Sequence, residues 1–366
     1  MSQSTPARLN TFPKLLLHNA ERFAARHAAR EKEYGIWQSW TWAELEREIR
    51  DFACGLAAMG FVAEDKLAII GDNRPQLYGA ICATQALRGV PVPMYQDAVA
   101  RELAFVMDHA GARFAIAEDQ EQVDKLLELM PECPKLEQII YLDSRGMRHY
   151  EHDFLHSYEE ICKRGRDHQA AKPDFWRSSV ESTQGEDTAI ILYTSGTTGN
   201  PKGVVLTHNN VLVTADNAAR RDGLNEHDEI LAYLPMAWVG DNIFSFAQSY
   251  TTGFCVSCPE SAATVMHDLN EIGPTFYFAP PRIFENLLTS VTIRMEDAGR
   301  VKRWLYGHFM KLAERVGVNI LNGEPVSTLD RLHYKLGEVL VYGPLKNTLG
   351  FSRIRIAYTA GEAIGP

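Results

Sequence analysis

The chain has 366 residues, 45% of them hydrophobic and 23% charged, with a formal net charge of -10. That length and composition suit two or three packed α/β units with a large core, and they argue against disorder. The acidic balance excludes general nucleic-acid binding, which needs a basic face, yet it leaves room for a few local donors to hold the phosphates of ATP.

Residues 12–28 read as an amphipathic helix, and so do 41–59, with Thr41 as N-cap and Gly60 just past the end. Short apolar strands follow: Lys66-Leu-Ala-Ile-Ile, Val90-Pro-Val-Pro-Met, Arg113-Phe-Ala-Ile-Ala and Gln138-Ile-Ile-Tyr-Leu. Helical spans at 73–87 and 98–109 fill the gaps, so the fold class is α/β with mostly parallel sheets covered on both faces. Between 143 and 186 the periodicity fades, and that stretch reads as a connection between two lobes.

A second alternation begins at Thr188-Ala-Ile-Ile-Leu-Tyr and continues through Ile230-Leu-Ala-Tyr-Leu, Phe254-Cys-Val-Ser and Thr275-Phe-Tyr-Phe. Residues 282–342 are mainly helical, with an apolar-basic face around 301–316, and a last strand covers Arg353-Ile-Arg-Ile-Ala-Tyr. The expected division is 1–186 for a first α/β lobe with its connection and 187–366 for a second lobe. Ending on a strand and a polar loop reads as truncation.

No apolar run reaches the roughly 18 residues a spanning helix needs, and the N-terminus lacks a signal-peptide core. Six scattered cysteines do not form a secreted disulfide framework, so a cytoplasmic setting is expected. Cys255-Val-Ser-Cys258 is a lone pair without a second ligand pair, and reads as buried structural thiols rather than a metal site. His208 reads equally as a site neighbour, a core side chain or a solvated one.

The segment Tyr193-Thr-Ser-Gly-Thr-Thr-Gly-Asn-Pro-Lys-Gly203 carries the chemistry. Gly196 and Gly199 let backbone N–H groups converge on an anion; Thr194, Ser195, Thr197 and Thr198 add hydroxyl donors; Lys202 adds positive charge. The spacing is not that of a Walker loop, and a strand follows, with helix starting only near Asn209. A strand–loop–strand hairpin fits neither a P-loop nor a Rossmann turn.

This loop resembles the signature of the AMP-forming acyl-CoA synthetase, luciferase and peptide-synthetase adenylation superfamily, and the likeness extends over essentially the whole chain. Trp40-Thr-Trp-Ala-Glu-Leu, Ala86-Leu-Arg-Gly-Val-Pro-Val-Pro-Met, Leu234-Pro-Met-Ala-Trp and Ala360-Gly-Glu-Ala resemble further family segments. The resemblance implies the large N-terminal domain of an adenylate-forming enzyme. It assigns Thr194, Ser195, Gly196, Thr197, Thr198, Gly199 and Lys202 to the ATP phosphates, and Gly361, Glu362 and Ala363 to adenine.

Trp238 would stand at the acyl pocket, as a gate or wall or simply as a packing aromatic. How near Asp241 and Asn242 lie to the site stays open. Pro274-Thr-Phe-Tyr-Phe-Ala-Pro-Pro-Arg282, Cys258-Pro-Glu-Ser261 and Gly343-Pro-Leu-Lys346 resemble long-chain members and tilt the substrate towards medium- or long-chain fatty acids.

The implied reaction consumes ATP with Mg²⁺, makes an acyl-adenylate, and passes the acyl group to coenzyme A. Family members carry a Tyr-Gly-x-Thr-Glu segment, a ribose-binding aspartate and a C-terminal lid with the adenylation lysine after the adenine loop. The sequence stops at Pro366, ahead of these, so the expectation is a fragment with little or no activity alone, no metal ligands and no catalytic residue of its own. Alternatives are a non-catalytic nucleotide- or acyl-binding module, or a synthetase for an aryl or short-chain acid. Fatty substrates are compatible with a transient peripheral membrane contact, although no basic amphipathic anchor stands out; the oligomeric state is open.

Overall fold

The computed structural model describes residues 9–194 and 201–361. The chain forms two compact units, Met1–Ala262 and Ala263–Pro366, so the boundary expected at 186/187 lies inside the first unit.

The first helix is shorter than its periodicity predicts. It spans Phe12–Arg22 with Pro13 in its first turn, and the chain then enters a hairpin of β1 (His27–Glu33) and β2 (Ile36–Thr41). Tyr34 and Gly35 hold positive φ at the tip. Thr41 ends β2 and caps the helix Trp42–Ala58 through a capping box with Glu44.

A five-stranded parallel sheet follows: β3 (Lys66–Ile70), β4 (Val90–Met94), β5 (Phe114–Ala117), β6 (Gln138–Tyr141) and β7 (Leu155–Ser157). Its order is β4-β3-β5-β6-β7, that of a doubly wound sheet with its switch point between β3 and β5. Ala68, Ile70, Val92, Ala115 and Ile139 are buried against Leu103, Met107, Val123 and Leu126 of the covering helices. Each larger side chain contributes about 1.5–3 kcal/mol by leaving water.

The stretch read as a connection is ordered. It holds β7 and the helices Tyr158–Ala171 and Phe175–Ser182. The first of these crosses Trp42–Ala58 where both helices are glycine: a Cβ on Gly165 would lie 1.7 Å from the Asp51 carbonyl oxygen, and one on Gly55 2.1 Å from that of Ile161. Backbones approach this closely only without side chains between them.

Two strands then form an antiparallel pair, β8 (Thr188–Thr194) and β9 (Lys202–Thr207), and Thr207 caps the helix His208–Asp222. After β10 (Glu229–Leu231) and β11 (Cys255–Cys258), the order β10-β11-β1-β2 builds the second sheet of this unit. The parallel register of β1 on β11, Ala29 opposite Val256, welds the N-terminal strands to residues beyond 250. That register is the reason the contact boundary falls after 262.

The second unit pairs β12 (Phe276–Phe278) in parallel with β13 (Ile356–Tyr358). Between them run the helices Pro281–Glu296, Arg300–Leu321, Thr328–Gly337 and Gly343–Thr348, with a small core of Phe309, Leu312, Val316, Val341 and Tyr342.

Candidate functional site

The segment expected to hold phosphates falls, in sequence, between the paired strands β8 and β9. Thr194 faces Lys202 and Tyr193 faces Gly203 in register, so the two ends of the loop are held together by a sheet ladder. Thr194 and Lys202 are both exposed. Ser195, Gly196, Thr197, Thr198 and Gly199 lie outside the described residues.

Tyr193 anchors the hairpin from beneath. Its ring joins the core of the parallel sheet, and its hydroxyl lies 2.7 Å from His109 Nδ1. Burial raises its pKa. Gly203 is a packing glycine: a Cβ there would come within 3.1 Å of both Ile191 and the Tyr193 ring. This glycine gives the tyrosine its place in the core as much as it shapes a loop.

A cleft of about 810 Å³ opens beside the hairpin, within the first unit. Thr194 and Pro201, on either side of residues 195–200, both line it, with Met94, Val99, Leu103 and Phe105 among the apolar walls. Its size and apolar lining are those of a small-molecule site with a polar group at one side.

Ala237 reaches the same cleft, while its neighbour Trp238 is half-buried and begins the turn Val239–Asp241. A π-helical stretch, Asn242–Ala247, follows at once. Asp241 is fully buried, accepts from the Tyr78 hydroxyl at 2.6 Å and from Ser245 Oγ at 2.8 Å, and has Asn73 Nδ2 at 3.5 Å. Asn73 also donates to the Leu234 carbonyl at 2.9 Å. Desolvation pushes the Asp241 carboxyl up to about 7, against the lowering effect of the Tyr78 and Ser245 hydrogen bonds. These bonds tie the 234–241 segment to the helix Pro75–Ala86, which no spacing rule announces.

The switch point of the parallel sheet is closed rather than open to a ligand. Arg74, in the turn after β3, donates to Glu118 at 2.7 Å, to the Pro259 carbonyl at 2.8 Å and to the Glu260 carbonyl at 3.1 Å, with Glu31 at 3.4 Å. The Glu118 Oε2 also accepts from the Asp72 amide at 2.5 Å. Burial raises the pKa of Glu31 to about 7, with Arg74 opposing it. The cluster joins the two larger sheets of the unit and leaves the loop cleft as the open site.

Gly361 belongs to the second unit, after β13. Its φ of +103° lies where glycine is favoured, and a Cβ there would meet nothing within 4 Å. Glu362 and Ala363 lie outside the described residues. His208 proves to be a core side chain: it accepts from the Phe12 amide at 3.4 Å, and burial lowers its pKa to about 4. Cys255 and Cys258 are buried and unpaired, with the Cys255 thiol pushed up to about 12 by desolvation. Among the described residues no three of His, Cys, Asp or Glu gather in a way that could hold a metal ion.

Comparison with known proteins places this geometry in a family. The model of the AMP-binding enzyme family matches residues 16–366. A long-chain-fatty-acid–CoA ligase of Rattus norvegicus is 23% identical over 363 residues, 97% of this chain and 53% of its own length. A long chain acyl-CoA synthetase of Arabidopsis thaliana is 25% identical over 329 residues, 86% of this chain and 46% of its own. The crystal structure of a long-chain-fatty-acid–CoA ligase from Archaeoglobus fulgidus superposes with a TM-score of 0.61 at 19% identity, covering 77% of this chain and 53% of that one, a likeness of fold. The chain thus spans about half the length of the curated relatives it matches. With Thr194 and Pro201 at the paired strands' ends lining an apolar cleft and a family match over nearly all its length, the chain belongs to the AMP-binding enzyme family.

Proposed function

We propose that this chain supplies the ATP- and acid-binding part of an AMP-forming acid–thiol ligase acting on a medium- or long-chain fatty acid. The observation that carries the reading is the hairpin β8–β9, which delivers Thr194 and Pro201 to the apolar cleft of about 810 Å³. In the reaction, a carboxylate oxygen bonds to the α-phosphorus of ATP and pyrophosphate leaves. The thiol of coenzyme A then bonds to the acyl carbon, giving the thioester and releasing AMP.

The Thr194 hydroxyl and the Lys202 ammonium offer a donor and a positive charge where negative charge develops on the phosphoryl oxygens. The residues between them are proposed to complete the phosphate grip, and Gly361 with Glu362 and Ala363 to border adenine. The Asn73–Tyr78–Asp241 network keeps the Trp238 segment in place, and Trp238 is proposed as a wall of the acyl pocket.

Mg²⁺ supplies charge neutralisation to the phosphates when bound. Among the described residues none gather to hold it, so no step is assigned to a protein-bound metal. A cytoplasmic setting is supported by six buried cysteines, none in a disulfide.

The test is ATP–pyrophosphate exchange by the purified chain with acids from acetate to palmitate, beside a circular-dichroism check of folding. Exchange that rises with acid length supports the reading. ATP binding that Lys202→Ala weakens by about tenfold, without exchange, supports the binding role and assigns the chemistry to residues outside this chain. A folded chain that binds neither ATP nor fatty acid overturns the reading.

A further inference from the structure

The second unit presents a face that the adenylation chemistry leaves unused. The helix Arg300–Leu321 buries Phe309, Leu312 and Val316 in its small core. Its opposite flank leaves Val301 72% and Trp304 66% exposed. The Trp304 ring stacks on His308 with centroids 5.6 Å apart and planes 18° apart. Stepping along that flank at helical spacing gives Arg300, Trp304, His308, Lys311, Arg315 and Val318.

The charge on this helix runs against that of the chain. Five basic residues stand against one acidic, Glu314, in a protein whose net charge is -10. Arg315 is paired with Asp330 at 2.5 Å, whereas Arg300, Lys302, Arg303 and Lys311 have no ion pair among the described residues. An exposed indole flanked by cations without ion pairs suits a surface that covers apolar area and meets positive charge together. An anionic phospholipid surface does so: the indole lies at headgroup depth, and long basic side chains reach the phosphates while their stems stay apolar. No described helix is long and apolar enough to cross a membrane, so such a helix would lie in the surface plane.

We infer that the outer flank of the helix Arg300–Leu321 docks on the surface of an anionic phospholipid bilayer, with Trp304 entering the interface and Arg300, Arg303 and Lys311 meeting headgroup phosphates. This goes beyond the proposed reaction and does not depend on it, since exchange activity is read without vesicles.

The experiment is co-sedimentation of the 366-residue chain with vesicles of phosphatidylcholine, with and without phosphatidylglycerol, at low and high salt. Partitioning onto the anionic vesicles is expected to exceed that onto the neutral ones by about tenfold or more, and to fall with salt. The variant Arg300→Gln/Arg303→Gln/Lys311→Gln should lose on the order of a hundredfold, about fivefold per charge. Tryptophan emission of the parent should shift to the blue on binding, and Trp304→Phe should abolish that shift.

A control pair, Leu329→Ser/Leu332→Ser, removes exposed leucines from the neighbouring helix Thr328–Gly337 and should leave the anionic preference intact. All substituted positions are exposed, and circular dichroism verifies that each variant folds. Equal binding to both vesicle types overturns the inference. So does binding that survives the triple substitution, no binding by the folded parent, or self-association through Trp304 in place of vesicle binding.

Discussion

The two units of this chain use apolar residues in opposite ways. The first stacks them into sheet and helix layers so tightly that Gly55 and Gly165 have no room for a methyl group. The second folds its helices around a handful of buried side chains and leaves Leu321, Leu329, Leu332 and Val339 largely in water. Stability in the first therefore rests on close packing, while the surface of the second is available for contacts. Substitutions in the two units should differ accordingly.

The largest contrast is expected between two aromatic truncations. Phe52 is fully buried beneath Tyr158, so Phe52→Ala should cost about 4 kcal/mol, whereas Trp304→Ala should stay within about 0.5 kcal/mol. Urea unfolding, read for each unit's transition, checks both. Comparable losses at the two sites would end the comparison.

Glycine sharpens it further. Gly165→Ala forces a Cβ onto the Asp51 carbonyl and should cost about 3 kcal/mol. Gly307, in the helix Arg300–Leu321, has open space around it, so Gly307→Ala should stabilise by about 0.5–1 kcal/mol through helix propensity. Thermal melts of the two variants should move in opposite directions.

The Asp241 network gives the first unit a pH signature. Its carboxyl, ordinarily near 3.8, titrates at about 7 in the fold. Between about pH 4 and 7 the folded state keeps a proton that the unfolded state has released, so stability falls as pH rises through that window and levels off above it. Asp241→Asn holds the neutral form. Its stability relative to the parent should climb from pH 4 to 7, reaching on the order of 4 kcal/mol. His208, lowered from 6.5 to about 4, has the opposite slope in both proteins and cancels in the difference. A flat difference would remove the buried-acid account.

The smallest loss expected in the first unit is local: Thr41→Ala breaks the capping box with Glu44 and should cost about 1 kcal/mol. Amide exchange in the first turn of the helix Trp42–Ala58 would show it.

Legibility followed the physics of each element. Strands β3 to β6 of the parallel sheet and the capped helix from Thr41 declared themselves because apolar runs, caps and glycines act locally, whereas β7 lay hidden in the stretch read as a connection. The strand His27–Glu33 did not. Its His-Ala-Ala-Arg-Glu-Lys-Glu composition favours a helix, and only pairing with Cys255–Cys258 and Ile36–Thr41 makes it a strand. The helix Tyr158–Ala171 was hidden by its charges, since its buried face is narrow and depends on two glycines meeting.

By itself, the sequence determined the α/β class, the two strands that flank residues 195–200 and the family, because these rest on periodicity and on a contiguous motif. Tertiary structure alone decided the boundary after Ala262, the burial of Asp241 beneath Tyr78, and the closing of the sheet's switch point by Arg74. It also decided that Gly203 serves the packing of Tyr193. Each joins residues distant in the chain or on different strands, where burial and hydrogen-bond geometry, which no local pattern encodes, set the outcome.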